Sequence, residues 1–172
     1  QLNFHLLYPF GVKDIPGLEE IRTWHILKPQ VECPIQIEPN KRSVVFHMLS
    51  KGSALNWSLK QYQTLASLLP ASEFNIYITG TEEEGVRIRQ GFQFDEHIID
   101  VSGKLSLPQL IAFISSCDTL VAASTGPLHI ASALGIRAIG LYPSRRPMHP
   151  GRWMPLGVKA TYLEDGNLGE KE

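Results

Sequence analysis

The sequence predicts an α/β fold, a Rossmann-like parallel sheet with helices on both faces. Short apolar runs rich in β-branched residues alternate along the chain with segments whose apolar residues recur every three or four positions. The first pattern is typical of buried strands and the second of amphipathic helices. Because short polar loops join them, the repeat predicts right-handed strand–helix–strand crossovers and a sheet covered on both sides.

Five strands and four helices are predicted in order from residue 43 onward. The predicted strands are Val44–Met48, Phe74–Thr79, His97–Val101, Thr119–Ala122 and Ala138–Tyr142. The first helix carries an apolar stripe at Tyr62, Leu65, Ala66 and Leu69, and Pro70 ends it. The others span Glu82–Gln90, the segment that starts at the Ser106/Gln109 capping box, and Pro127–Leu134, which Gly135 ends.

The regular repeat sets the predicted domain boundaries. We expect residues 1–43 to be an irregular lead-in, 44–160 the α/β domain and 161–172 a polar tail. Within the lead-in, Leu18–Leu27 is compatible with a short helix, and Cys33–Pro39 alternates like a short edge strand. The proline-rich stretch Pro143–Pro155 predicts an extended surface loop.

Composition limits the classes of protein that the chain can represent. At 172 residues it has the size of one domain, and its 16 Lys plus Arg nearly balance 17 Asp plus Glu. Such a balance offers no basic field for nucleic acid or an anionic membrane. Cys33 and Cys117 form no metal-ligand spacing or disulfide framework, and no signal peptide or membrane span is apparent. We therefore expect a soluble, cytoplasmic protein, and the start at Gln1 rather than Met suggests a fragment or a processed chain.

The turn Ser124–His129 is the strongest candidate for a ligand site. Ser124 and Thr125 are residue types that cap helices, Gly126 lets another group approach the backbone, and Pro127 suits a first helical position. A helix start presents unpaired N–H groups under a partial positive charge, which favours a phosphate. The alternative is an ordinary helix cap that binds nothing.

Ligands of open parallel sheets bind outside the carboxyl ends of the strands. Five polar loops follow the predicted strands there: Ser50–Ala54, Gly80–Glu84, Gly103–Leu105, Ser124–His129 and Pro143–Arg146. The G-x-G-x-x-G and G-x-x-x-x-G-K-[ST] fingerprints of NAD and NTP sites are absent after these strands, and the histidines are scattered. Small residues, a lysine and a helix start together describe a diphosphate pocket better than a catalytic triad.

Two segments, Ser102–Leu110 and Asp118–Leu141, closely resemble glycosyltransferase family 9, the ADP-heptose:lipopolysaccharide heptosyltransferase family. The family's second domain carries G-K-x-S-L-x-Q-L and D-T-G-x-x-H-[IL]-A-A-A-L-G, which stand here as Gly103–Leu110 and Ser124–Gly135. The resemblance spans about Val44 to Gly157. It implies the C-terminal half of a two-domain GT-B enzyme, in which residues 44–160 bind a nucleotide-sugar donor.

The resemblance also implies an activity. The whole enzyme would be an inverting glycosyltransferase of lipopolysaccharide or envelope glycan synthesis, using an ADP-heptose-like donor with no metal or cofactor. Its catalytic base would belong to an N-terminal acceptor-binding domain that this chain lacks. The enzyme would be cytoplasmic, with peripheral association at the inner face of the inner membrane.

Roles for individual residues follow from the same resemblance. The implied donor-binding residues are Ser50, Lys51, Gly52, Ser53, Glu84, Lys104, Leu105, Thr125, Gly126, Pro127, Leu128, His129 and Ser144. Residues 125–129 would hold the diphosphate, Glu84 the ribose hydroxyls and Leu105 the adenine. Glu84 equally completes a capping box with Thr81. For His129 the resemblance favours phosphate contact over packing, and for Lys51 the position after the first strand favours phosphate pairing over a solvated surface.

Some positions depart from the family pattern. The acid that usually precedes Thr-Gly is Ser124 here, and the lysine usually found two residues before the tryptophan is Leu55. Asp118, at the start of a strand, is expected to be structural, and Arg145, Arg146 and Arg152 form either a solvated face or a lid. The alternatives to a transferase are a non-catalytic nucleotide-binding or regulatory module, or a sugar-nucleotide epimerase of similar shape.

Overall fold

A parallel β-sheet forms the centre of the molecule. A computed structural model describes residues 2–24, 26–50, 52, 54–144 and 150–165. The strands are Arg42–His47 (β1), Phe74–Ile78 (β2), Ile98–Asp100 (β3), Thr119–Ala123 (β4), Arg137–Pro143 (β5) and Ala160–Asp165 (β6). They lie in the order β3-β2-β1-β4-β5-β6, and every neighbouring pair is parallel. This is the strand order of the Rossmann fold, so the predicted class is confirmed.

Helices cover both faces of this sheet. They are Leu18–Trp24 (α1), Leu59–Ser67 (α2), Glu82–Gly91 (α3), Leu107–Ser115 (α4), Gly126–Ala133 (α5) and Pro150–Trp153 (α6), and a 3₁₀ helix spans Leu2–Phe10. From β1 to β3 the chain adds strands towards one edge of the sheet. It then returns to the other side of β1 and adds β4, β5 and β6 towards the opposite edge. Because crossovers are right-handed, that reversal puts α2 and α3 on one face and α4 and α5 on the other.

The two faces have separate cores because side chains alternate along each strand. Phe46 of β1 belongs to the core under α2 and α3, and its ring lies 5.4 Å from that of Tyr62. Val45 belongs to the core under α4 and α5, where Tyr77 and Phe113 have ring centroids 5.3 Å apart. Burial on both faces explains why β1 reads as a continuous apolar run.

A sixth strand corrects the predicted C-terminal boundary. β6 begins one residue before the predicted tail 161–172 and pairs with β5 from Ala138↔Ala160 to Pro143↔Asp165. Its residues Thr161 to Glu164 are exposed. An edge strand is held by its backbone ladder and needs little apolar surface, so its sequence resembles a polar tail.

The proline-rich stretch is less extended than predicted. Pro143 is the last residue of β5, Pro155 is buried, and α6 lies between them. Tyr142 donates a hydrogen bond from its hydroxyl to the carbonyl of Trp153, which ties α6 to the end of β5. Arg145 and Arg146, and the side chain of Arg152, lie outside the described part of the chain.

The lead-in is held against the domain without forming a strand. The structure confirms a helix at α1, inside the predicted range. Cys33–Pro39 contains no strand, contrary to the prediction, although Ile35 and Ile37 pack against the core under α4 and α5. Their alternation therefore reflects packing of an irregular segment. Across the described ranges, no helix combines the length and apolarity that a bilayer crossing requires.

Candidate functional site

A pocket opens at the carboxyl end of the sheet, where β1 and β4 lie side by side. The chain leaves these two strands towards opposite sides, and such a switch point leaves a crevice. The pocket has a volume of about 250 Å³. Its lining residues are Ala54, Leu55, Ser124, Thr125, Gly126, His129, Leu141, Pro143 and Trp153. The loop after β1, the start of α5, the end of β5 and the short helix α6 thus meet at one place.

Thr125 is the residue that precedes α5, and its side chain does not cap the helix. Its backbone is extended, with φ −124° and ψ 166°, and the residue is 6% exposed. Within the described part of the molecule, the buried Oγ1 has no hydrogen-bond partner. Leaving a hydroxyl buried and unpaired costs about 1–3 kcal/mol. The ordinary-cap alternative therefore does not explain Thr125, whereas a ligand in the pocket would pair its hydroxyl.

The start of α5 has the features of an anion site. The N–H groups of Leu128 and His129 donate to the Thr125 carbonyl at 3.2 and 3.4 Å, while Pro127 has no N–H to offer. A Cβ added to Gly126 would meet no described atom within 4 Å, so the backbone there is open to approach. The partial positive charge of the helix start is directed at this opening.

Ser124 belongs to a hydrogen-bonded chain that leads to α6. Its side chain is bonded to the hydroxyl of Tyr142, and that hydroxyl donates to the Trp153 carbonyl. Tyr142 is fully buried, and burial raises the pKa of its hydroxyl although the Ser124 bond partly opposes the shift. The hydroxyl therefore stays protonated and serves as a donor.

The loop after β1 is shaped by the hydroxyl of Ser50. Ser50 Oγ donates to the Ala54 carbonyl and accepts from Asn56 Nδ2, each at 3.2 Å. Gly52 has φ +83°, a left-handed conformation that favours glycine. Lys51 and Ser53, both predicted to bind the donor, lie outside the described residues.

Glu84 forms the capping box that the sequence allowed. Its Oε2 accepts from Thr81 N–H at 2.7 Å, and its own N–H donates to Thr81 Oγ1 at 3.3 Å. The residue is 6% exposed, and Oε1 bonds to none of the described residues. Capping and a ribose contact therefore use different oxygens, and the ribose contact stays a prediction.

His47 lies close to Glu84 at the end of β1. Its Nδ1 is 3.1 Å from the Thr79 hydroxyl. Burial lowers the pKa of the imidazole because it disfavours the charged form, and the Glu84 carboxylate partly opposes that shift. His47 therefore acts as a neutral hydrogen-bonding group at neutral pH. The spacing of residues in the sequence did not indicate a role for His47 in the site.

The other predicted donor-binding residues lie around the pocket but do not line it. Lys104 donates from Nζ to the Asp100 carbonyl at 2.6 Å, and Leu105 is half-buried against the core under α4 and α5. Leu128 is fully buried, and Ser144 is exposed just beyond β5. Of the predicted donor-binding set, Thr125, Gly126 and His129 line the pocket.

Asp118 is structural, as expected. Its Oδ2 accepts from the N–H and the hydroxyl of Ser43 at 2.7 and 2.8 Å, and Ser43 Oγ accepts from Asp118 N–H. These bonds join the amino ends of β1 and β4, opposite the pocket.

A larger groove of about 670 Å³ runs along the sheet face beside α2. Its walls include Phe46, Val121 and Ile139, and Arg42 and Arg137 lie at its amino end. The described residues that line it include neither a helix start nor a buried hydroxyl without a hydrogen-bond partner. Among the described residues no group of three His, Cys, Asp or Glu side chains is placed to hold a metal. The smaller pocket is therefore the better candidate site.

The strand order defines a Rossmann-type domain, and the helix start at its switch point is a candidate anion site. The sequence profile of glycosyltransferase family 9 (heptosyltransferase) matches residues 3–172. The chain belongs to this family.

Known proteins similar to the chain agree with this membership. A Haemophilus influenzae protein assigned as a glycosyltransferase is 32% identical over 123 residues, covering 70% of this chain and 36% of that protein. Lipooligosaccharide heptosyltransferase 2 of H. influenzae is 29% identical over 133 residues, covering 70% of this chain and 38% of that protein. E. coli heptosyltransferase WaaC, solved with ADP, has a similar fold, with a TM-score of 0.62 at 18% identity over 91% of this chain and 46% of that chain. The chain spans little more than a third of these curated relatives.

Proposed function

We propose that this chain is the donor-binding domain of an inverting glycosyltransferase and that its pocket holds the diphosphate of an ADP-heptose-like nucleotide sugar. The observation that carries the proposal is the buried, unpartnered Thr125 hydroxyl beside the open start of α5. A diphosphate would accept a hydrogen bond from this hydroxyl and from the backbone N–H of Gly126. WaaC was solved with ADP, which supports ADP as the first probe.

In the proposed reaction, a base on an acceptor-binding domain outside this chain removes the proton of an acceptor hydroxyl. The resulting oxygen attacks the anomeric carbon from the opposite face, and the bond from that carbon to the diphosphate oxygen breaks. The diphosphate departs with the bonding electron pair. The start of α5 and Thr125 stabilise the negative charge that develops, so the proposal requires no metal.

The proposed contacts extend from the pocket towards β2 and β3. Thr125, Gly126 and His129 would hold the diphosphate, Glu84 Oε1 would accept from the ribose hydroxyls, and Leu105 would face the adenine. A relative named lipooligosaccharide heptosyltransferase 2 supports a role in lipopolysaccharide or envelope glycan assembly. The proposal places this role on the cytoplasmic side of the inner membrane.

Calorimetric titration of the 172-residue chain with ADP tests the proposal. Thr125→Val replaces the orphan hydroxyl by a methyl group of similar size, so the melting temperature should stay the same or rise. The dissociation constant for ADP should rise about 10-fold or more, as expected for one hydrogen bond to a charged group. Thr161→Val, on the exposed edge strand β6, is the matched control and should change neither quantity. A folded wild-type chain that gives no binding heat at millimolar ADP would refute the proposal.

A further inference from the structure

Trp153 forms a wall of the pocket that the sequence did not indicate. It is the last residue of α6 and lines the pocket together with Ala54, Leu55 and Pro143. The residue is 46% exposed although it is a large aromatic. As a lining residue, Trp153 would contact a ring bound in the pocket.

A hydrogen bond from the buried Tyr142 holds Trp153 in this place. The Tyr142 hydroxyl has one proton, which it donates to the Trp153 carbonyl. The Ser124 hydroxyl must therefore donate its own proton to the Tyr142 oxygen. The Tyr142 ring is buried and packs edge-on against Tyr162, with the ring centroids 6.1 Å apart. Ser124 and Thr125, which stand between β4 and α5, line the same pocket as Trp153.

The two sides of the pocket differ in chemistry. On one side lie the start of α5, the Thr125 hydroxyl and His129, which suit a diphosphate. On the other side lie Leu55, Leu141 and Trp153. These three side chains are large and apolar or aromatic, so this second side suits the C–H face of a ring.

We infer that Trp153 is the platform on which the glycosyl ring of the nucleotide sugar stacks, and that Tyr142 is its positioning residue. The inference rests on the proposed function, because the sugar reaches Trp153 only if its diphosphate occupies the start of α5. Stacking orients the ring beside the diphosphate without neutralising any charge. The nucleotide sugar should therefore bind more tightly than the nucleotide alone.

The test compares ADP with ADP-glucose and ADP-mannose by calorimetry on the 172-residue chain. For the wild type, at least one of the two sugars should bind about tenfold more tightly than ADP. Trp153→Ala should reduce that ratio to about one while leaving the dissociation constant for ADP within about twofold. Trp153→Phe keeps an aromatic face and should retain most of the ratio. Trp24→Ala, which removes a tryptophan that is 58% exposed on α1, is the matched control and should behave as wild type.

Tyr142→Phe gives the readout for positioning. It removes the donor to the Trp153 carbonyl but keeps the buried ring, so the sugar-to-ADP ratio should fall while ADP affinity stays. The inference is overturned if neither sugar binds the wild type more tightly than ADP, or if Trp153→Ala weakens ADP and the sugars equally. Failure of the wild type to bind ADP at all would instead refute the proposed function.

Discussion

The substitution Gly126→Ala should weaken ligand binding at the start of α5 without impairing the folding of the protein. Gly126 lines the pocket, and a Cβ built there meets no described atom within 4 Å. Its φ is not in the left-handed region, so alanine fits the backbone without strain. The methyl group would therefore leave the protein intact and project into open space beside the pocket.

The expected effects on stability and on binding have opposite signs. Alanine in place of glycine in a compatible helical position stabilises a protein by about 0.4–1 kcal/mol. For a chain of this length, that corresponds to a rise in melting temperature of about 1–4 °C. The same methyl group obstructs the open N–H of Gly126. Loss of one hydrogen bond to a charged group costs about 1.5–3 kcal/mol, or roughly 10- to 150-fold in the dissociation constant for ADP.

Differential scanning fluorimetry and ADP calorimetry on the same preparations measure both effects. Gly17→Ala is the matched control, because a Cβ at Gly17 also meets nothing within 4 Å and Gly17 lies ahead of α1, outside the pocket lining. It should leave ADP binding unchanged. The reasoning is refuted if Gly126→Ala binds ADP as tightly as wild type, or if its melting temperature falls by several degrees.

Three further substitutions probe the fold around the site. Gly157→Ala would place its Cβ 2.2 Å from the Ser132 carbonyl oxygen, so the free energy of unfolding in a urea titration should fall by about 1–3 kcal/mol. Asp118→Ala removes the acceptor for two hydrogen bonds from the buried Ser43, so the melting temperature should drop by about 4–8 °C. The affinity for ADP should not change, because Asp118 and Ser43 lie at the amino ends of the strands, opposite the pocket. Burial lowers the pKa of His47 below its usual 6.5, so below that pH the unfolded chain binds more protons and stability decreases as the pH falls. Melting temperatures at about pH 7.5 and 5.5 should therefore differ less in His47→Asn than in the wild type; an equal difference contradicts this assignment.

Much of the architecture could be predicted because its signals are local. The apolar run of β1 and the stripe of α2 reflect burial on fixed faces, and burial selects the same residue types wherever such elements pack. β6 gave no such signal, because its stability comes from the backbone ladder with β5. The position of α6 also gave none, since a hydrogen bond from Tyr142 fixes it.

For the site, the turn after β4 lines a pocket, and its role in ligand binding stays a prediction. Thr125, Gly126 and His129 are adjacent in sequence, and the rule about carboxyl ends of strands identifies their loop. The sequence could not distinguish a helix cap from a ligand group at Thr125. That distinction depends on whether the hydroxyl has a partner, which is a property of the packed structure.

The sequence by itself determined the α/β class, the parallel sheet and the helix start that faces its carboxyl edge, because hydrophobic periodicity and capping residues act over a few neighbouring positions. Tertiary structure decided what surrounds that helix start. Leu55, Thr125 and Trp153 are far apart in the chain and line one pocket only because the strand order brings their loops together. Burial around them then leaves the Thr125 hydroxyl without a partner among the described residues and leaves Trp153 partly exposed.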